Sequence, residues 1–171
     1  MPRKKPANEG LRSNARAARR FLRRAIALSV ENVRKGRGGP FAALVVKDGR
    51  AVGVGTNRVT LTNDPTAHAE IVAIREACRS LGTFELSGCE IYASCEPCPM
   101  CLGAIYWARI ERVYFATSAS DASRAGFDDS MILRQLRLPR SRRRVPMMQM
   151  LRREGLRAMR SWREAADKTP Y

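Results

Sequence analysis

The sequence predicts an α/β layered domain with a mixed central sheet. Three observations carry this. Short apolar runs of strand length alternate with longer stretches patterned at helical spacing. Asp48-Gly49 stands between the apolar run 41–46 and the run 51–55, which is the mark of a tight hairpin. Breaker clusters at Gly36–Pro40 and Asn63–Thr66 then separate the elements.

Taken in order, residues 1–13 read as a basic flexible arm. A helix is expected from about Asn14 to Lys35. Its apolar positions Leu22, Ile26, Val30 and Val33 recur at helical spacing, with Arg19, Arg20, Arg23, Arg24 and Arg34 mostly off that stripe. Gly36, Gly38, Gly39 and Pro40 end it. The hairpin follows, then a helix at about 67–80 and a third strand at 89–93. Pro97 can open a helix at about 98–108. A fourth strand is expected at 112–116, a short helix near 129–136, a further strand at 146–151 and a last helix at about 155–167. Leu138–Arg144, with its proline and four arginines, reads as an exposed connection. The organisation expected is the arm 1–13, a catalytic domain 14–154, and a C-terminal helix and tail 155–171.

Composition excludes several classes. A chain of 171 residues with 44% hydrophobic residues fits one domain with a real core. No run approaches the ~18 apolar residues of a membrane span. No apolar segment of a secretory signal follows the basic start. Five cysteines, three of them within Cys95–Cys101, suit a reduced cytoplasm and metal chemistry better than a disulfide framework.

The net charge is +16. It divides into +10 over residues 1–37, −3 over residues 38–133 and +9 over residues 134–171. The basicity belongs to the flanks, and 27 of the 32 basic residues are arginine. That pattern fits either a solvated arginine-rich surface or a polyanion-binding one. Aromatics in the flanks are only Phe21, Trp162 and Tyr171, so a stacking platform for single strands is poorly supported.

The chemistry concentrates in two motifs. His68-Ala69-Glu70 precedes Pro97-Cys98-Pro99-Met100-Cys101. Each half alone is weak. Together, each at an expected helix start, they match the known H-x-E…P-C-x-x-C signature of zinc-dependent deaminases. Cys98 and Cys101 are three apart, so a helix puts both sulfurs on one face. Its N-terminal N–H groups and dipole favour thiolates. His68 is the only histidine, so no other imidazole can complete the set. Three protein ligands leave a fourth position for water, as a catalytic zinc requires. Glu70 is close enough to His68 to exchange a proton with that water. A closed structural zinc site would instead take Cys95 as fourth ligand and leave Glu70 without a task. Cys78 and Cys89 read as core thiols.

With these residues the chain resembles the cytidine and nucleobase deaminase superfamily and, within it, the bacterial guanine deaminases. The stretches that carry the likeness are Gly38–Phe41, Thr56-Asn57, Asn63–Glu70, Ser94–Arg109 and Ala125–Asp129. The resemblance implies a three-layer α/β/α cytidine-deaminase-like fold with a mixed sheet of about five strands and one Zn2+ per chain. It implies a small purine base as substrate, held by Asn57, Asp129 or Asp128, Phe41 and Trp107. It also implies a homodimer whose last segment is exchanged, with Tyr171 closing the partner's pocket. The arginine-rich flanks and the 138–144 connection depart from the family pattern.

The implied reaction is hydrolysis of guanine to xanthine and ammonia, with Glu70 as proton carrier. The amide of Asn57 can donate to N7, a carboxylate of Asp129 or Asp128 can accept from ring N–H or the 2-amino group, and Phe41 and Trp107 can sandwich the ring. Each residue also has an ordinary reading. Phe41 and Trp107 can simply pack, either aspartate can cap a helix, Asn57 can serve a turn, and Tyr171 can be a frayed terminus. The competing functions are a tRNA adenosine deaminase, a deaminase of cytosine, guanosine or a triazine, and an arginine-rich, zinc-stabilised nucleic-acid-binding module.

Overall fold

The computed structural model describes residues 7–170. The elements run α1 (Ala7–Arg34), β1 (Ala42–Lys47), β2 (Arg50–Thr56), α2 (Val59–Thr62), α3 (Ala69–Leu81), β3 (Cys89–Cys95), α4 (Pro99–Trp107) and β4 (Arg112–Thr117). They continue with α5 (Ala119–Arg124), α6 (Ser130–Arg137), a 3-10 turn (Arg140–Arg142) and α7 (Arg152–Glu164). α1 begins inside the segment expected to be an arm, and residues 1–6 lie outside the described residues.

The sheet has the order β2-β1-β3-β4. β1 is antiparallel to β2 and β3, and β3 is parallel to β4 through the α4 crossover. The sheet is therefore mixed, as expected. β1 is buried along Ala42–Val46 because helices cover both of its faces, which is why its sequence is a continuous apolar run. The expected fifth strand at 146–151 is absent among the described residues. Pro146 removes a ladder donor, and Met147, Met148, Met150 and Leu151 are exposed.

α1 covers one face of the sheet. Ala18, Phe21 and Ala25 pack on Leu44, Val46 and Tyr92, with the Phe21 and Tyr92 rings 5.1 Å apart. This corrects the apolar stripe. Ile26, Val30 and Val33 point to solvent, Leu22 is only partly buried, and Ala18, Phe21, Ala25, Ser29 and Asn32 face inward. Ala18, Ala25 and Ser29 flank Phe21 on the buried side and leave room for its ring against Tyr92.

α3 and α4 cover the other face, around Ala43, Val45, Ile91 and Ala93. The β2–α3 seam is very tight. Gly53 and Gly55 face Ala69, Ala73 and Ala77. A Cβ on Gly53 would lie 2.2 Å from the Ala73 carbonyl oxygen, and one on Gly55 2.0 Å from that of Ala69. Side-chain-free strand positions thus meet the alanine face of the helix that begins beside His68.

By compactness the chain divides into two units, Met1–Asp129 and Ser130–Tyr171. The division falls at 129/130, whereas 154/155 was expected. The first unit holds the sheet. The second holds α6 and α7, and none of its described residues is buried. Among the described residues, no helix is long and apolar enough to cross a membrane.

Candidate functional site

Two helix N-termini meet to make the site. His68 is the N-cap of α3, in extended conformation. Cys98 is the N-cap of α4, also extended, with Pro99 in the first turn and Cys101 one turn on. Pro99 suits that place because its missing N–H has no helical partner there. Both ends direct unpaired N–H groups and positive dipole ends toward the same point, which favours thiolate charge.

The His68, Cys98 and Cys101 donor atoms lie within 4.8 Å of one another. Nδ1 of His68 is 3.5 Å from Sγ of Cys98. One imidazole nitrogen and two sulfurs can hold a metal ion, and this borderline-soft set suits zinc. A hydrogen bond from the Cys101 thiol, helped by His68, draws Cys98 down to about 4 against the opposing effect of burial. Cys101 moves the other way, because it donates to the Cys98 thiolate and is itself buried. His68 is raised by its bond to Cys98. A cation bound by such a set displaces the protons its thiols carry.

Glu70, in the first turn of α3, is buried beside this triad. Its Oε2 is 3.4 Å from Sγ of Cys101, and it is outside the ligand group. Burial holds its carboxyl above the ordinary range. A carboxyl raised toward neutrality can both take and return a proton. Cys95 is buried with its Sγ directed to the carbonyl of Ser118, and it does not join the metal group. Cys89 is a core thiol and Cys78 packs against the same core, as expected.

Asn57 is brought beside the motif. The N–H of the next residue, Arg58, donates to the carbonyl of Ala67, directly before His68. The side-chain oxygen of Asn57 accepts from the N–H groups of Gly39 at 3.2 Å and Val59 at 3.3 Å. What its amide has left to offer a ligand is N–H. Asp129 is half-buried, and its carboxyl is raised by burial and by the nearby Cys98 thiolate, whereas Asp128 is exposed.

The aromatic pair differs from expectation. Phe41 meets Phe127 edge-on at 4.9 Å. Trp107 is 70% exposed and stands at the far end of α4, six residues or ~9 Å along the axis from Cys101. The structure thus brings together His68, Glu70, Cys98 and Cys101, ties Asn57 to the glycine turn before β1, and holds Phe41 against Phe127. Tyr171 lies outside the described residues.

Two residues escaped the sequence reading. Phe127 lies within the stretch Ala125–Asp129, where the likeness gives its ring no role. Asn32 is the larger omission. It is buried on the inner face of α1, where its amide donates to the carbonyls of Gly39 at 2.9 Å and Asn57 at 3.0 Å. Those two carbonyls fix which end of the amide faces them. Its oxygen has no partner among the described residues. Asn32 ties the glycine turn before β1 to the end of β2 and so sets the frame in which Asn57 sits. The signal was an amide on the same helical face as Ala18, Phe21 and Ala25. Replacing Asn32 with Ala leaves two carbonyls without their buried donor, and stability should fall by about 2 kcal/mol. A urea titration reads this, and an unchanged midpoint would contradict it.

Comparison with known proteins agrees with this geometry. Residues 15–117 match the cytidine and deoxycytidylate deaminase zinc-binding region. Guanine deaminase of Bacillus subtilis (strain 168) is 51% identical over 151 residues, covering 88% of this chain and 97% of that protein. The X-ray structure of guanine deaminase from Bacillus subtilis superposes with a TM-score of 0.87 at 50% identity, covering 90% of this chain and 98% of that one. The tRNA-specific adenosine deaminase of Aquifex aeolicus is 48% identical over 87 residues, but this covers only 51% of this chain and 56% of that protein.

Proposed function

This chain belongs to the cytidine and deoxycytidylate deaminase family, and we propose that it hydrolyses guanine to xanthine and ammonia, a step of purine salvage or catabolism. The observation that carries the reading is the buried carboxyl of Glu70 set 3.4 Å from a ligand of the His68–Cys98–Cys101 group. Likeness across nearly the full length of a guanine deaminase supports the substrate, whereas the tRNA deaminase likeness stops at about half the chain.

When bound by the three ligands, one zinc ion per chain supplies the Lewis acidity that acidifies an attacking water. Glu70 takes the proton of the water that adds to C2 and delivers it to ring N3. It then takes the remaining proton of the hydroxyl added at C2 and passes it to the 2-amino nitrogen, so that the C2–N bond breaks, ammonia leaves and the C2 carbonyl of xanthine forms. Asn57 donates to N7 of the base. Asp129, better buried than Asp128, accepts from ring N–H or the 2-amino group. Phe41, held by Phe127, offers an apolar wall. Trp107 belongs to this reading as the second aromatic face of the base, and Tyr171 as the residue that closes the partner's pocket.

A homodimer with an exchanged C-terminal segment completes the reading. Its support is the second unit, whose Met131, Ile132, Leu136, Met148 and Trp162 are all exposed. A cytoplasmic place is supported by five free cysteines.

The zinc-loaded protein should release ammonia from guanine, and much less from guanosine, cytosine or adenine. Guanine left inert while tRNA gains inosine would transfer the assignment to a tRNA adenosine deaminase.

A further inference from the structure

A concave, strongly basic region of the first unit takes no part in the deaminase reading. Between α1 and the β1–β2 turn lies a groove of about 410 Å³, lined by Arg20, Phe21, Arg24, Gly49, Arg50, Ala51 and Val54. It is on the α1 face, with the sheet between it and α3.

Three arginines line this groove, and no acidic residue does. Among the described residues no acid pairs with Arg20, Arg24 or Arg50. The acids nearest in sequence are engaged or turned elsewhere. Glu31, the first acid on α1 after residue 14, pairs with Lys35. Asp48, in the hairpin turn, does not line the groove. Glu76 lies at its Val54 end and accepts the Val54 N–H at 2.9 Å. Further along α1, Arg16, Arg19 and Arg23 add like charge.

Like charges collected around a concavity repel, and a bound anion relieves that cost. Arg20 is held in place on two sides. Its guanidinium sits 4.6 Å from the centre of the Phe21 ring, and one of its nitrogens is 3.5 Å from the carbonyl of Gly49. Arg24 follows one helical turn later, ~6 Å along the axis, and Arg50 faces them from the hairpin. This spread suits an extended anion with charge on successive groups better than a single carboxylate. Phe21 is buried, so there is no exposed ring to stack a base. Recognition rests on guanidinium forks and oxygen acceptors.

We propose that this groove is a binding site for a chain of phosphate groups, held by Arg20, Arg24 and Arg50. The site is separate from the metal centre and independent of which base is deaminated. Its ligand chemistry is the linked phosphate, found both in nucleoside polyphosphates and in the nucleic-acid backbone.

The test uses the full zinc-loaded chain with inorganic tripolyphosphate as the probe, measured by calorimetry at about 50 mM salt, where such contacts are strong. Two triple variants remove the same charge. One carries Arg20→Gln, Arg24→Gln and Arg50→Gln. The other carries Arg140→Gln, Arg142→Gln and Arg144→Gln, in the second unit. The groove triple should weaken binding at least tenfold, and the control triple less than threefold. Deamination and metal content should be unchanged in both. Equal loss in the two variants would reduce the effect to net charge and overturn the site, as would a native chain that binds no tripolyphosphate. Competition arms then identify the source. Displacement of the probe by GTP but not by a short RNA assigns the groove to free nucleotides. Displacement by RNA, with the same dependence on the three arginines, assigns it to a nucleic-acid backbone. Either result supports the proposal.

Discussion

Glu70→Gln keeps its metal and loses turnover by about 10²–10⁴-fold, the range expected when a positioned acid–base group is removed. The substitution is close to isosteric. Gln fills the same buried volume beside Cys101, so the His68–Cys98–Cys101 group is undisturbed. What disappears is the exchangeable proton. An amide cannot take a proton from water and return it to a ring nitrogen at neutral pH. The burial that raises the Glu70 carboxyl is the feature that makes it suitable for both tasks. Metal analysis alongside single-turnover kinetics separates the two effects. Native turnover in this variant would remove Glu70 from the mechanism. Loss of the metal would instead make it part of the ligand scaffold.

Gly55→Ala should be the most damaging single methyl group in the first unit. The added carbon would sit 2.0 Å from the Ala69 carbonyl oxygen and 2.5 Å from the Ala73 nitrogen. Both are helix backbone, so no side chain can swing aside. Overpacking ordinarily costs 1–3 kcal/mol, and a clash with backbone on both sides places this case at about 3 kcal/mol or more. At roughly 2–4 °C per kcal/mol for a chain this size, Tm should fall by about 6–12 °C. Activity should fall further than the folded fraction, because α3 carries Glu70 and starts at His68. Gly103→Ala is the control. A Cβ there meets nothing within 4 Å, and alanine is the better helix former. A Gly55→Ala chain that melts with Gly103→Ala would show that the seam is looser than its geometry.

The parts of the molecule most legible in the sequence are those made by short spans of chain. His68 and Glu70 are two apart, and Cys98 and Cys101 three apart, so each pair arrives with its geometry nearly set by one helix end. The Asp48-Gly49 turn, with both residues at positive φ, is likewise local. What stayed hidden depends on which surface comes near. Ile26, Val30 and Val33 have the right spacing and the wrong azimuth, because the sheet under α1 admits alanine, serine and an amide beside Tyr92. The same closeness conceals the role of Asn32, whose partners are 7 and 25 residues away. The seam glycines look like ordinary strand residues until α3 lies against them. The expected strand at 146–151 rests on a short apolar run of methionines and a leucine after Pro146, which has neither β-branched residues nor a neighbouring edge to pair with.

The second unit has a consequence of another kind. A stretch running from Ser130 to Tyr171, with no buried residue among those described, is near the lower size limit of about 40 residues for a chain that stabilises itself. A surface laid against its amphipathic helices would add to their order. If that surface is on a second copy, the ordering becomes a mass-action quantity. Fully folded chain per molecule would then rise with the total amount made. A cell producing little of this protein would hold a larger share of it incomplete than one producing much.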